Sequence, residues 1–285
     1  MSEKPEIVIV AFYKFVHLPD YKDLKQPLLD LCKENGIYGT ILLAEEGLNS
    51  TIAGTRAGID MVLESLSDDP RFAELTVKES YADFIPFQKM KVRLKPEIVR
   101  LKIDGIDPNQ KVGQYVDPDE WNALVNDPDV VVIDTRNDYE VKIGTFKNAI
   151  NPKTDSFNEF PDFVDENLDP TKHKKIAMFC TGGIRCEKAT ALMLEKGFEN
   201  VYHLNGGILR YLEDMPEENS VWEGECFVFD DRISVDHQLA PGKTFICDFC
   251  KEIVSQETDI CPHCGEKVEP LPAPPEVNLE VEPSE

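Results

Sequence analysis

Met178-Phe-Cys-Thr-Gly-Gly-Ile-Arg-Cys-Glu-Lys188 is the stretch around which the chain is organised. The apolar run Lys175 to Phe179 before it reads as a strand. Glu187 to Lys196 after it reads as a helix that ends at Gly197. Cys180 to Arg185 is then a tight strand-to-helix loop. A cysteine there meets loop N–H groups and the positive end of a helix dipole, both of which favour thiolate over thiol. Cys180 is the predicted nucleophile. Thr181, Gly182, Gly183 and Ile184 form its anion cradle, the glycines letting the backbone curl so that N–H groups converge. Arg185 adds a fixed positive charge at the loop exit.

Loop length narrows the chemistry. Tyrosine phosphatases place five residues between their cysteine and arginine; this chain places four. The smaller ring suits one sulfur atom on the cysteine better than a tetrahedral phosphate. Cys-x-x-Gly-x-Arg between a strand and a helix resembles a rhodanese persulfide loop. A merely buried cysteine at a strand end would leave both glycines and the arginine unexplained.

Val130 to Ile133 is a short, wholly apolar strand, as in the middle of a parallel sheet. Asp134-Thr135-Arg136 follows it, then Tyr139-Glu140. Asp134 and Arg136, with Glu140, are expected as loop support, a buried network rather than catalytic machinery. Leu204-Asn-Gly-Gly-Ile208 is a second glycine turn, read as packing or path lining. Cys186 has two readings: a redox partner that resolves oxidised Cys180, or a buried helix residue. Strand and helix patterns alternate through Gly207, which predicts an α/β domain with a central parallel sheet over 109–216.

Upstream, 7–15 is rich in β-branched and aromatic residues and reads as a strand. Helix over 20–35, strand 37–44, strand 48–53, helix 55–67 and strand 75–80 follow. This order is the ferredoxin-like βαββαβ plan, the plan of acylphosphatase-like domains, assigned to 1–108. Lys89 to Lys95 alternates strictly. Lys89, Lys91, Arg93 and Lys95 fall on one side, and Met90, Val92 and Leu94 on the other. The cations read either as an RNA-binding, phosphate-tracking stripe or as the solvated face of an edge strand.

The formal net charge is −24 over 285 residues. It is uneven: −4 over 1–108, −7 over 109–215 and −13 over 216–285. The acidic excess is therefore remote in sequence from the basic stripe and need not repel a polyanion bound there. The chain has no secretory segment and no apolar run near 18 residues, so a soluble, cytoplasmic protein without membrane contact is expected. Eight cysteines in such a chain point to metal and catalysis rather than disulfides. Cys247-x-x-Cys250, ten residues, then Cys261-x-x-Cys264 has the spacing of a structural zinc site in a small Cys-rich region, 217–267. Disulfides or free thiols are the competing reading. The Pro- and Glu-rich tail, 268–285, is expected to be disordered.

Asp134 to Glu140, Gly144 to Pro152, Cys180 to Lys188, Gly206 to Leu212 and Cys226-Phe-Val-Phe-Asp-Asp-Arg232 together resemble the tRNA uridine hydroxylase family, TrhO. So does the ferredoxin-like N-terminal half. The resemblance implies an oxygen-dependent tRNA modification enzyme. It would form 5-hydroxyuridine at the wobble position, with molecular oxygen as co-substrate, the tRNA anticodon region as partner and Cys180 as persulfide carrier. A sulfur donor is the further partner of a persulfide, and a plain thiosulfate-type sulfurtransferase is the alternative activity. No flavin, haem or nucleotide motif is evident.

Overall fold

The computed structural model describes residues 6–255 and 258–268. All but the first residue of the expected disordered tail lies outside the described residues. The described chain divides into two compact units, at Ile98 and Val99.

The first unit runs β1 (Ile7–Phe15), α1 (Lys25–Glu34), β2 (Tyr38–Ala44), β3 (Gly47–Gly54), α2 (Arg56–Ser67), β4 (Lys78–Ala82) and β5 (Met90–Leu94). Its sheet order is β4-β1-β3-β2-β5, antiparallel except for the β2–β5 pair. Alternate residues of β1, Val8, Val10 and Phe12, enter one core with Leu28 and Cys32 of α1 and Ile59 and Val62 of α2. The period-2 pattern of the strand and the 3.6 period of the helices are thereby satisfied together. Thr55 caps α2, its hydroxyl accepting from the Gly58 N–H at 3.2 Å, a bond worth about 1 kcal/mol. The ferredoxin-like expectation holds, with two shifts: α1 begins at Lys25 rather than at 20, and β4 begins at Lys78 rather than at 75.

β5 is an edge strand. Its apolar row is less complete than the alternation predicts. Val92 is buried and Met90 partly so, but Leu94 is 38% exposed. A strand with a neighbour on one side only has nothing beside its last residue to pack against. Lys91 pairs with Thr40 and Arg93 with Leu42 in the register. Among the described residues, Lys89, Lys91, Arg93 and Lys95 make no ion pair with a carboxylate.

The second unit runs β6 (Gln114–Val116), α3 (Pro118–Asn126), β7 (Val130–Asp134), α4 (Asp138–Val141), β8 (Gly144–Phe146), α5 (Phe160–Asn167), β9 (Lys175–Phe179), α6 (Ile184–Glu195), β10 (Asn200–Leu204) and α7 (Gly207–Asp214). Then come β11 (Trp222–Gly224), β12 (Cys226–Phe227), β13 (Ser234–Val235), β14 (Thr244–Ile246) and β15 (Ile253–Ser255). The sheet β6-β10-β9-β7 is parallel throughout. β9 lies inside it and alternates between two cores. Ala177 and Phe179 join Trp121, Phe146 and Tyr211; Ile176 and Met178 join Phe160, Leu192 and Met193. Cys180 thus stands where β9 leaves the carboxyl edge of a parallel sheet, the usual place for a site in such folds. The expected parallel α/β domain is present. No helix among the described residues is long and apolar enough to cross a membrane.

Candidate active site

α6 begins at Ile184, not at Glu187, so the loop proper is only Cys180 to Gly183. Arg185 and Cys186 therefore belong to the first helical turn, and Arg185 is not a loop residue as its position in sequence predicts. The glycine explains the early start. Gly183 is the N-cap with φ +99°, a conformation that a side chain would strain, and it turns the chain straight into the helix.

The Cys180 sulfur accepts a hydrogen bond from the Gly183 N–H at 3.1 Å. The N–H groups of Arg185 and Cys186 also bear on it. Of the four expected cradle residues, Gly183 supplies a bonded donor, and the N–H groups of Arg185 and Cys186 in the first turn of α6 add to it. Burial raises the Cys180 thiol. The hydrogen bond from the Cys186 thiol, the Arg185 charge and these amides outweigh it and bring the group down from 9.0 to about 5. Cys186 moves the opposite way. Burial first, then the Cys180 charge, push it well above its ordinary value, so it stays a protonated donor. Its sulfur lies 3.6 Å from the Thr135 hydroxyl, which donates to the Phe179 carbonyl at 3.0 Å. Thr135 is thus a loop-supporting residue that the sequence reading passes over.

Arg185 is committed. Its two terminal nitrogens donate to the two carboxylate oxygens of Glu140, each at 2.7 Å, and both residues are buried. Burial raises the Glu140 carboxyl, but the Arg185 guanidinium more than offsets this and holds it below its ordinary 4.5. The fork geometry is the strong form of an arginine–carboxylate pair. Glu140 is itself fixed by a capping box at the start of α4, where it accepts from the Asn137 N–H at 3.1 Å.

Asp134 and Arg136 form a separate, fully buried pair. Arg136 Nε and one terminal nitrogen bridge the Asp134 carboxylate at 2.9 and 2.6 Å. Arg136 also donates to the Gly144 carbonyl, and the Thr145 hydroxyl donates to Asp134. This pair ties the end of β7 to β8 and makes no hydrogen bond to the Cys180 loop.

The second glycine turn holds the loop from outside. At the start of α7, the N–H groups of Ile208 and Leu209 donate to the carbonyls of Cys180 and Thr181 at 3.0 and 3.1 Å. A Cβ on Gly207 would lie 2.5 Å from the Cys180 carbonyl oxygen, so only glycine permits the approach. With its carbonyls engaged outside, the loop turns N–H groups toward the sulfur. Cys180 itself is fully buried, but a Cβ on Gly182 would meet open space, which places the free volume over the loop at that residue.

One side of the site comes from far along the chain. The Phe229 ring centroid is 5.8 Å from the Arg185 guanidinium carbon. Phe229 meets Phe227 edge-on at 5.1 Å, and Phe227 meets Tyr139 edge-on at 5.2 Å. Phe229 is 59% exposed. Keeping such a ring in water forgoes roughly 1.5–3 kcal/mol of burial.

The four cysteines of the two Cys-x-x-Cys pairs converge. Their sulfurs all lie within 4.8 Å of one another, with Cys247–Cys264 at 3.8 Å and Cys250–Cys261 at 3.6 Å. Tetrahedral zinc with Zn–S bonds of about 2.3 Å needs sulfurs about 3.8 Å apart. The two turns repeat one backbone plan. Cys247 N–H donates to Glu252 and Lys251 N–H to Cys247; Cys261 N–H donates to Glu266 and Gly265 N–H to Cys261. The matching residues Lys251 and Gly265 have φ +62° and +77°. The donor set is of the kind that can hold a metal such as zinc. The Cys226 thiol takes no part: it is buried and pushed up to about 12 by desolvation.

Lys89, Lys91, Arg93 and Lys95 all belong to the first unit, and Cys180 to the second.

Comparison with known proteins agrees with this division. Residues 7–98 match the UPF0176 acylphosphatase-like domain, and residues 117–214 match the rhodanese-like domain. Among solved structures, the chain is similar to a rhodanese-like domain from Anabaena sp., at 18% identity over 40% of this chain and 80% of that one, TM-score 0.33. A Bacillus halodurans protein matches at 26% identity over 39% and 77% of the two chains, TM-score 0.30. An acylphosphatase from Coxiella burnetii matches at 16% identity over 33% and 100%, TM-score 0.25. The chain therefore joins an acylphosphatase-like domain of the UPF0176 type to a rhodanese-like domain.

Proposed function

We propose that this chain is a tRNA-modifying enzyme that hydroxylates the wobble uridine at C5, with Cys180 as nucleophile or persulfide carrier. The observation that carries the reading is the Cys180 sulfur, which accepts the Gly183 amide at 3.1 Å beside the Arg185 charge and is held ionised. Support for RNA as substrate comes from the motif resemblance to the TrhO family and from the domain pair. In the proposed step the Cys180 sulfur adds to C6 of uracil, which makes C5 electron-rich. C5 then takes one atom of molecular oxygen; the other leaves as water. The two electrons come from a thiol reductant, two thiols becoming one disulfide. Loss of the C5 proton and expulsion of the sulfur from C6 restore the ring and the free cysteine.

A second reading, sulfane sulfur transfer from a thiosulfate-type donor, is favoured by the rhodanese-like match over 117–214. The same loop serves it, because a persulfide on Cys180 needs the same amides. Nucleoside mass spectrometry of tRNA from a deletion strain separates the two. Loss of 5-hydroxyuridine and its derivatives, restored by the gene, supports hydroxylation. Unchanged nucleosides with lost thiosulfate–cyanide transfer would leave the transferase.

Tracking of phosphates along β5 belongs to the same reading. Lys91→Ala with Arg93→Ala should weaken tRNA binding several-fold at 50 mM salt and flatten its salt dependence by about two counterions. Equal affinity at every ionic strength would return the stripe to a solvated edge.

Zinc is the proposed occupant of Cys247, Cys250, Cys261 and Cys264, in a structural role. It would supply folding free energy on the order of 10–16 kcal/mol to a region with a small core. Metal analysis should give about one zinc per chain, lost in Cys250→Ser together with protease resistance around 244–268. A metal-free wild type with the same resistance would remove the metal.

A further inference from the structure

Phe229 is the most exposed aromatic residue near the Cys180 site, and the hairpin turn that carries it is closed by hydrogen bonds and an ion pair. It follows Val228 in the turn of the β12–β13 hairpin. Val228 N–H donates to the Ile233 carbonyl at 2.9 Å, and Ile233 N–H to the Asp230 carbonyl at 3.0 Å. Across the turn, Arg232 bridges the Asp230 carboxylate at 2.8 and 2.6 Å, with both side chains buried. A buried ion pair and a closed hairpin thus fix a ring that remains 59% in solvent. Packing does not require this, since the neighbouring Val228 already points into the core.

The surroundings say what the ring can take. Arg185 lies to one side of it, with its charge balanced by the Glu140 carboxylate, which accepts from each of its terminal nitrogens. What the exposed side offers a ligand is an aromatic surface, Phe229 with Phe227 and the 36%-exposed Tyr139 in edge contact. Every nucleobase has a π-face, and stacking on a fixed aromatic ring is the sequence-tolerant way to hold an unstacked base.

We propose that Phe229, fixed by the Asp230–Arg232 bracket, is the stacking surface for the target pyrimidine of a single-stranded RNA loop at the mouth of the Cys180 site. The inference rests on the RNA reading above and adds the residue that holds the base. Phe229 is a binding residue; it acts on base placement, while the sulfur does the chemistry.

The test uses the full chain and a fluorescein-labelled, uridine-containing RNA stem-loop. Phe229→Ala should weaken binding of the stem-loop about 5- to 100-fold. Phe229→Leu, apolar but unable to stack, should lose nearly as much, and Phe229→Trp should bind as the wild type does. The melting temperature of all three should stay within a few degrees of wild type, since the ring is exposed. In assays of uridine modification, Phe229→Ala should raise KM and leave kcat nearly unchanged. Equal binding by Phe229→Ala and wild type overturns the inference, as does full rescue by leucine. A wild type that binds the stem-loop with a Phe229-dependent affinity but hydroxylates no uridine overturns the hydroxylase reading and leaves the stacking surface standing. A wild type that binds no RNA overturns both.

Discussion

Cys180→Ser should abolish uridine modification, with a loss on the order of 10³-fold or more, while tRNA binding stays within about twofold. Serine keeps nearly the same shape, but its hydroxyl is not ionised near neutral pH by the amides, thiol and guanidinium that serve the sulfur. The wild-type sulfur gives a second readout. Because its pKa is lowered to about 5, the thiolate is present above that value and is lost as the pH falls below it. Alkylation of Cys180 by iodoacetamide, followed by peptide mass spectrometry, should therefore rise through about pH 5 and be level from pH 6.5 to 8. Cys32 and Cys226, both driven up to about 12 by burial, should remain unlabelled over the same range. A Cys180 rate that still climbs tenfold per pH unit at pH 8 would mean an ordinary thiol, and the nucleophile would be lost with it. Modification that persists in Cys180→Ser would exclude covalent catalysis by this residue whatever its ionisation.

Glu140→Gln should be the most destabilising single change at the site, by about 3–5 kcal/mol, because it strips the buried Arg185 guanidinium of its bidentate carboxylate. For a unit of this size that is a fall of roughly 6–20 °C in melting temperature. Adding Arg185→Met should recover much of the loss, since the second change removes the stranded charge. A double mutant no more stable than Glu140→Gln alone would show that the pair is not the source. The pH dependence has a fixed sign. The carboxyl is held below 4.5 in the folded chain, so its contribution is complete above about pH 4.5 and drains away as the pH falls through the lower folded value. Glu140→Gln should therefore differ most from wild type at neutral pH and converge with it in acid, which denaturation at pH 7 and pH 3 can check.

These two predictions divide the site by how it is encoded. The strand, the glycine N-cap and the helix that hold the Cys180 thiol low all lie between Lys175 and Glu195, and each follows from local backbone preference. Fixing their conformation needs no knowledge of the remaining chain. The zinc-type knuckles are legible for the same reason, as each is a short turn whose cysteine spacing sets its geometry. The Asp134–Arg136 bracket spans only two residues. The partner of Arg185 is different: Glu140 is 45 residues away. In sequence it looks like a third member of the Asp134 network, and only the packing of α4 against the start of α6 pairs it with Arg185. The exposed end of β5 also escapes the alternation, which gives the face of a residue but not whether a neighbour covers it.

By itself the sequence determined the two domain types, the cysteine at the strand-to-helix loop whose thiol is held low, and the four-cysteine cluster, because all of these are written in short-range periodicity and spacing. Tertiary structure alone decided that Arg185 is spent on Glu140, that Gly207 lets α7 grip the loop carbonyls, and that Phe229 arrives beside the site from 44 residues beyond Arg185. Side chains so distant along the chain meet only when separately folded elements pack, and the choice among many charged or aromatic candidates is made by burial and geometry at that step.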